Sequence, residues 1–304
     1  MSSRSSYSLS TAWNYRRHDT AKSIIDEARS MGFESLELNF ALTEPRVNEF
    51  IELKNQGYIN ISSTHNFCPL PDGVIPEKAS PEYYSLSSPD DEERALALRF
   101  TKKSMDFAKK AQAKAFIIHL GSVRMKDPTK RLFTTADKAK FEERKRSAFS
   151  ERAKKVKPYL DASLKSIGAL TEYAGLIGLD IALENRYYIK ELPSLEEFKI
   201  IFELFDDERL FYWHDTGHAQ IYENLSILKH EDYLETLSSR LLGMHLHDII
   251  LFDDHRAPGS GEFDFGRLKP FVKKDTIKVI EAHRASSKEE VERSLPYLTG
   301  ILGQ

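Results

Sequence analysis

The 304-residue sequence holds a single cysteine, Cys68, so no internal disulfide can form and a reducing compartment is expected. No apolar run approaches the roughly 20 residues of a membrane span, and the start MSSRSSYSLS lacks the apolar core of a secretory signal. No membrane partner is expected, and cytoplasm is the expected location. An excess of positive charge is also missing: 44 Lys and Arg face 47 Asp and Glu, for a net charge of −3. That balance disfavours nucleic acid as a partner, because duplex binding rests on many cation–phosphate contacts. Short-period repeats and low-complexity tracts are absent, so the chain reads as one continuous unit.

A hydrophobic fraction of 40% supports a sizeable core. Eight short apolar runs alternate with helical stretches: Tyr7–Tyr15, Ser35–Phe40, Tyr58–Phe67, Ala115–Gly121, Asp180–Arg186, two runs between Leu210 and Asp254, and Thr276–His283. Runs of this length read as strands buried on both faces. Eight such strands predict a single-domain (β/α)8 TIM barrel over residues 1–304. Helices are predicted at 20–30, 44–55 and 90–113, with others opened by capping boxes at Ser194–Glu197 and Ser287–Glu290. A further helix is expected near Leu268–Lys273.

Two segments do not fit a plain barrel. The proline-rich stretch from Cys68 to Asp90 is long for a connection and is expected to form a lid or pocket wall. Residues 122–158 carry 13 Lys and Arg against 5 Asp and Glu. They are expected to form a basic insertion or flap running into one long helix that reaches Ala174. Its cations would serve either a solvated surface or an anionic substrate.

The chemistry concentrates where apolar runs end. LFYWHDTGH delivers His214, Asp215 and His218, and LLGMHLHD delivers His245, His247 and Asp248. Other strand ends add His65, His119, Glu184 and Glu281, and the loop after strand seven adds Asp253 and His255. Polar residues gathered at the C-terminal ends of barrel strands are the pattern of a barrel active site. Imidazole with carboxylate and no thiol suits a divalent metal such as Zn, Mn, Co or Fe, and no organic cofactor is expected. Glu184 and Glu281, from strands five and eight, would flank a substrate as an acid/base pair.

The motif series AFIIHLGS, ALEN, HDTGH, GMHLHD, the GSG loop and VIEAH resembles the xylose isomerase-like TIM-barrel superfamily. That superfamily includes ketose epimerases, hydroxypyruvate isomerase, inosose dehydratase-like proteins and the endonuclease IV group. The resemblance implies Glu184, Asp215, His245 and Glu281 as metal ligands. It implies His65, His119, His218, Asp253 and His255 as additional metal or substrate contacts, with Asn39, Arg186 and His247 as substrate contacts. The chain departs from ketose 3-epimerases, which place a second glutamate shortly after the strand-five ligand; Lys190 stands near that place here. It departs from the endonuclease group by placing Arg186, Tyr187 and Tyr188 after that ligand instead of small residues. The reading is a metal-dependent isomerase or epimerase of a small sugar, sugar phosphate or cyclitol, acting by proton transfer through an enediolate. The alternative is an endonuclease IV-like zinc phosphodiesterase acting at abasic sites. Oligomerisation is left open.

Overall fold

A computed structural model describes residues 7–303; the polar start, residues 1–6, lies outside the described residues. Eight parallel strands close into a barrel: β1 Tyr7–Ser10, β2 Ser35–Leu38, β3 Asn60–His65, β4 Ala115–Ile118, β5 Ile181–Glu184, β6 Leu210–Asp215, β7 Leu241–Leu246 and β8 Ile277–Ile280. Each strand pairs with its neighbours in sequence, and β1 pairs with β8 to close the ring. The strands are shorter than the apolar runs that predict them, because each run continues past the last paired residue into the rim.

The helices are α1 Ala21–Ser30, α2 Glu44–Asn55, α3 Asp91–Lys110, α4 Thr129–Phe133, α5 Lys138–Lys155, α6 Lys157–Ile177, α7 Leu195–Leu204, α8 Thr216–Asn224, α9 His230–Leu237 and α10 Lys288–Leu302. Their ends follow local chemistry. Asp90 accepts from the backbone N–H groups of Glu92 and Glu93 to start α3, and both predicted capping boxes are formed. None of the helices among the described residues is long and apolar enough to cross a membrane.

Strand alternation turns every second side chain inward. Trp213 fills the barrel interior with Ala115, Ile117, Ala182 and Val279 around it. Gly243 on β7 makes room, since a Cβ there would lie 2.3 Å from the Trp213 ring. This layer forms the floor beneath the C-terminal mouth.

Two expectations need correction. The long helix expected from the basic stretch to Ala174 is broken into α5 and α6 around Val156. Pro158 has no N–H for the carbonyl of Lys154, so the ladder cannot run through unbroken. The helix expected near Leu268–Lys273 is instead a 3-10 turn at Phe265–Leu268, where Phe265 and Leu268, three apart, are both buried.

Candidate metal centre

β6 passes directly into α8 with no loop between. Asp215 is the last strand residue and also the helix N-cap, its Oδ1 accepting from the His218 N–H at 2.7 Å. The HDTGH stretch therefore sets His218 in the first helical turn beside Asp215. Gly217 is required there, because a Cβ would lie 2.1 Å from the His247 ring. Register then aligns the neighbours: Asp215 pairs with His245 on β7, and Glu184 with Trp213 on β6.

His245 stands at the centre. Its Nδ1 lies 3.0 Å from Glu281 Oε2, 3.6 Å from Glu184 Oε2 and 3.7 Å from Asp215 Oδ2. Yet this buried Nδ1 makes no hydrogen bond of acceptable geometry. Ligand atoms around a metal held at about 2.1 Å lie roughly 3–4 Å apart; Glu184, Asp215 and His245 offer atoms within 4.8 Å of one another, and Glu281 approaches the same imidazole nitrogen. The residues present fit the group implied by the sequence. They would hold a borderline or hard ion such as Zn, Mn, Co or Fe.

On its other face His245 Nε2 lies 3.1 Å from both oxygens of Glu37, which also accepts from the Ser63 hydroxyl at 2.7 Å. Glu37 is fully buried on β2 and was missed by the sequence reading. It fixes the ring so that Nδ1 faces the carboxylates. Burial pushes the His245 pKa down, but Glu281 and Glu37 more than offset this and raise it well above the usual value. Burial also opposes ionisation of Glu184, but His119, His218 and His245 hold its carboxyl well below the usual range. In Glu281 burial prevails and the pKa is raised.

Two further clusters flank the centre. His65 Nε2 and His119 Nε2 lie 3.2 and 3.0 Å from Glu184 Oε2. Arg186 enters the same cluster, its Nη1 reaching His119 Nε2 and Glu184 Oε1. On the opposite side, His218, His247 and His255 gather around Asp215, each offering an atom within 4.8 Å of the others.

Several expected residues take other places. Asp253 points outward, its side chain 72% exposed and paired with Arg256; Asp254 faces the site instead, 3.1 Å from His255 Nδ1. A left-handed His255 (φ 56°) makes that turn. His247 lies behind Asp215 with both nitrogens engaged: Nε2 is 2.9 Å from Asp215 Oδ1, and Nδ1 accepts from the His255 backbone N–H. Burial opposes protonation of that ring while Asp215 draws its pKa up to about 9, but the bond from a backbone N–H requires an unprotonated Nδ1. The hydrogen-bond geometry favours the neutral ring. His214 faces outward, between Tyr212 and His230, away from the barrel interior. Asp248 accepts from the N–H groups of Ile249, Gly259 and Phe263, so it shapes the glycine-rich loop. Asn39 is buried, bonded to Thr11 and Ala41.

Beside the centre opens a cavity of about 720 Å³ lined by Trp13, Tyr15, Arg16, Asn39, Phe40 and Arg284 among others, with no carboxylate in its wall. Phe40 packs edge-on against His65, and His283, also in the wall, stacks on His255 at 3.8 Å. Ala79 of the proline-rich loop completes the wall. From the same loop Glu82 lies 3.8 Å from His119 Nδ1, its pKa raised to about 7 by burial and by Glu191.

The sequence model of the xylose isomerase-like TIM barrel matches residues 25–300. The chain belongs to this family. The xylose isomerase-like fold is also what solved structures share with it. A 3-keto-D-glucoside 4-epimerase from E. coli superposes with a TM-score of 0.70 at 14% identity, covering 97% of this chain and 99% of that one. D-psicose 3-epimerase from Clostridium cellulolyticum, solved with D-tagatose, gives 0.69 at 16% identity over 98% and 99%. A Thermus thermophilus protein soaked with ZnCl2 gives 0.62 at 20% identity over 98% of each chain. An uncharacterized protein of Methanocaldococcus jannaschii is 24% identical over 266 residues, 81% of this chain and 85% of its own.

Proposed function

We propose that this protein is a divalent-metal-dependent isomerase or epimerase of a small polyhydroxy carbonyl compound, working by proton transfer. The observation that carries this reading is the His245 centre: an unpartnered Nδ1 facing three carboxylates, two of them glutamates from strands three positions apart in the ring. When bound, a divalent metal there would polarise a substrate carbonyl and stabilise the enediolate charge. Glu184 and Glu281 approach from different sides and would take a proton from carbon and return it. Trp213 and the layer around it close the floor, so substrate enters from the mouth. The adjoining cavity is of a size suited to a small ligand and is walled by aromatic and cationic groups. Sugar epimerase activity in two relatives of the same fold supports the substrate class.

One observation favours a second reading, an endonuclease IV-like phosphodiesterase: the flanking His65–His119 and His218–His255 clusters gather ligand-type side chains at the spacing of further metal sites. The deciding experiment loads the protein with Mn or Zn and incubates it in D2O with C3–C6 ketoses, free and phosphorylated, following carbon-bound protons by NMR. Solvent deuterium should appear next to the carbonyl and disappear with Glu281→Gln. No exchange in any ketose, together with cleavage of an abasic duplex, would transfer the assignment to the nuclease.

A further inference from the structure

The His65–His119–Glu184 cluster has the spacing of a second metal site, but a fixed cation already stands in it. His65 Nε2 and His119 Nε2 converge on one oxygen of Glu184, at 3.2 and 3.0 Å. Arg186 Nη1 lies 2.9 Å from the same His119 nitrogen and 3.2 Å from the other Glu184 oxygen. An N–H at that distance uses the lone pair a metal would need. The guanidinium cannot relieve the conflict by losing its proton. It is also held from behind: Arg186 Nη2 meets Glu191 Oε1 at 3.0 Å, and Glu191 Oε2 accepts from the Tyr188 N–H at 2.9 Å. The Glu191 backbone carbonyl is itself held by Arg152 at 2.8 Å. The side chain is almost fully buried, so it has no solvent-facing alternative.

We propose that Arg186 is a built-in cation that excludes metal from the His65–His119–Glu184 pocket, leaving Glu184 to serve the His245 centre alone. A dication would have to displace a monocation anchored by a buried carboxylate, and would then face its charge at close range. Arg186 supplies the positive charge that Glu184 and the histidines would otherwise draw from a second ion. His65 then orients Glu184 as its hydrogen-bonding partner, while His119, its Nε2 lone pair taken by Arg186, holds the guanidinium in place. The inference rests on the His245 centre holding metal; it does not depend on which substrate is turned over.

The test is the zinc content of the full-length protein, loaded with zinc alone and desalted, measured by plasma mass spectrometry. Wild type should keep the same count when His65→Ala is introduced. Arg186→Ala should gain one zinc per chain, and adding His65→Ala should remove it again. A wild-type count that falls by one on His65→Ala overturns the proposal, as does an Arg186→Ala protein that gains none. Where Arg186→Ala does not fold, Arg186→Gln takes its place, and the wild-type comparison with His65→Ala decides alone. Failure of the primary centre is seen separately, as a wild-type zinc count indifferent to His245→Ala.

Discussion

Glu37 shows how one side chain can set the geometry of a site it does not enter. Its carboxylate takes the Nε2 side of His245 and leaves Nδ1 for the ligand cluster. Glu37→Gln should therefore lower metal affinity by about 10- to 100-fold while the fold persists, as removal of such a partner usually does. Competition with a chelating dye, read beside the melting temperature, checks this; unchanged affinity would detach Glu37 from the centre. The residue was illegible in the sequence because one acid in SLEL reads as the exposed position of an alternating strand. Only ring closure, which brings β2 within three strands of β7, reveals that it points inward. Asp253 took another place for a related reason. Its type suits a metal site, but in a loop with left-handed residues at Leu251 and His255 it is Asp254 that faces the site.

His230 carries a pH prediction at the same scale. Burial, then Arg267, push its pKa down to about 3 against a weaker pull from Asp215, and its ring contacts His214 Nε2 at 3.0 Å. The unfolded chain takes the proton first, so the stability contributed is full above about pH 6.5 and is lost as pH falls towards 3. The slope is at most about 1.4 kcal/mol per pH unit for one such group. Denaturant midpoints measured from pH 7 to 4 should fall less steeply in His230→Gln than in wild type. Parallel curves would show that the ring is not titrating differently in the two states.

Among the elements, strand ends were legible and rim loops were not. Eight short apolar runs located eight strands, because runs of strand length alternating with helical stretches suit a parallel barrel. The basic stretch was harder, since its charges say nothing of direction. α4 packs onto the rim through Phe133, stacked on Phe252 at 4.1 Å, whereas α5 is tied to the body by Arg152. Arg152 is buried, with Nη1 and Nη2 on Glu197 at 2.7 and 2.8 Å. Arg152→Ala strands a buried carboxylate and should cost about 3–5 kcal/mol. Equilibrium unfolding in urea would measure it, and a loss below about 1 kcal/mol would mean that Glu197 finds solvent. Lys138, Lys140, Arg144, Lys145 and Arg146 belong to α5, where Lys145 already serves Glu142 and the carbonyl of Ser226. Neutralising Lys138 and Lys140 should leave the KM of a phosphorylated substrate unchanged if the helix is a solvated surface, and raise it if the helix closes over an anion.

For the whole molecule, the barrel brings carboxylates from β5, β6 and the end of β8 around one imidazole from β7. Four buried ionisable groups in one place oppose folding unless a cation balances them. Metal should stabilise the protein by about 2.7 kcal/mol at a hundredfold excess over Kd. The most direct measurement is anomalous diffraction from a zinc- or manganese-soaked crystal. The account predicts a peak within coordination distance of His245 Nδ1, Glu184, Asp215 and Glu281, and none between His65 and His119. A peak on His65 and His119, or no peak beside His245 Nδ1, would contradict it.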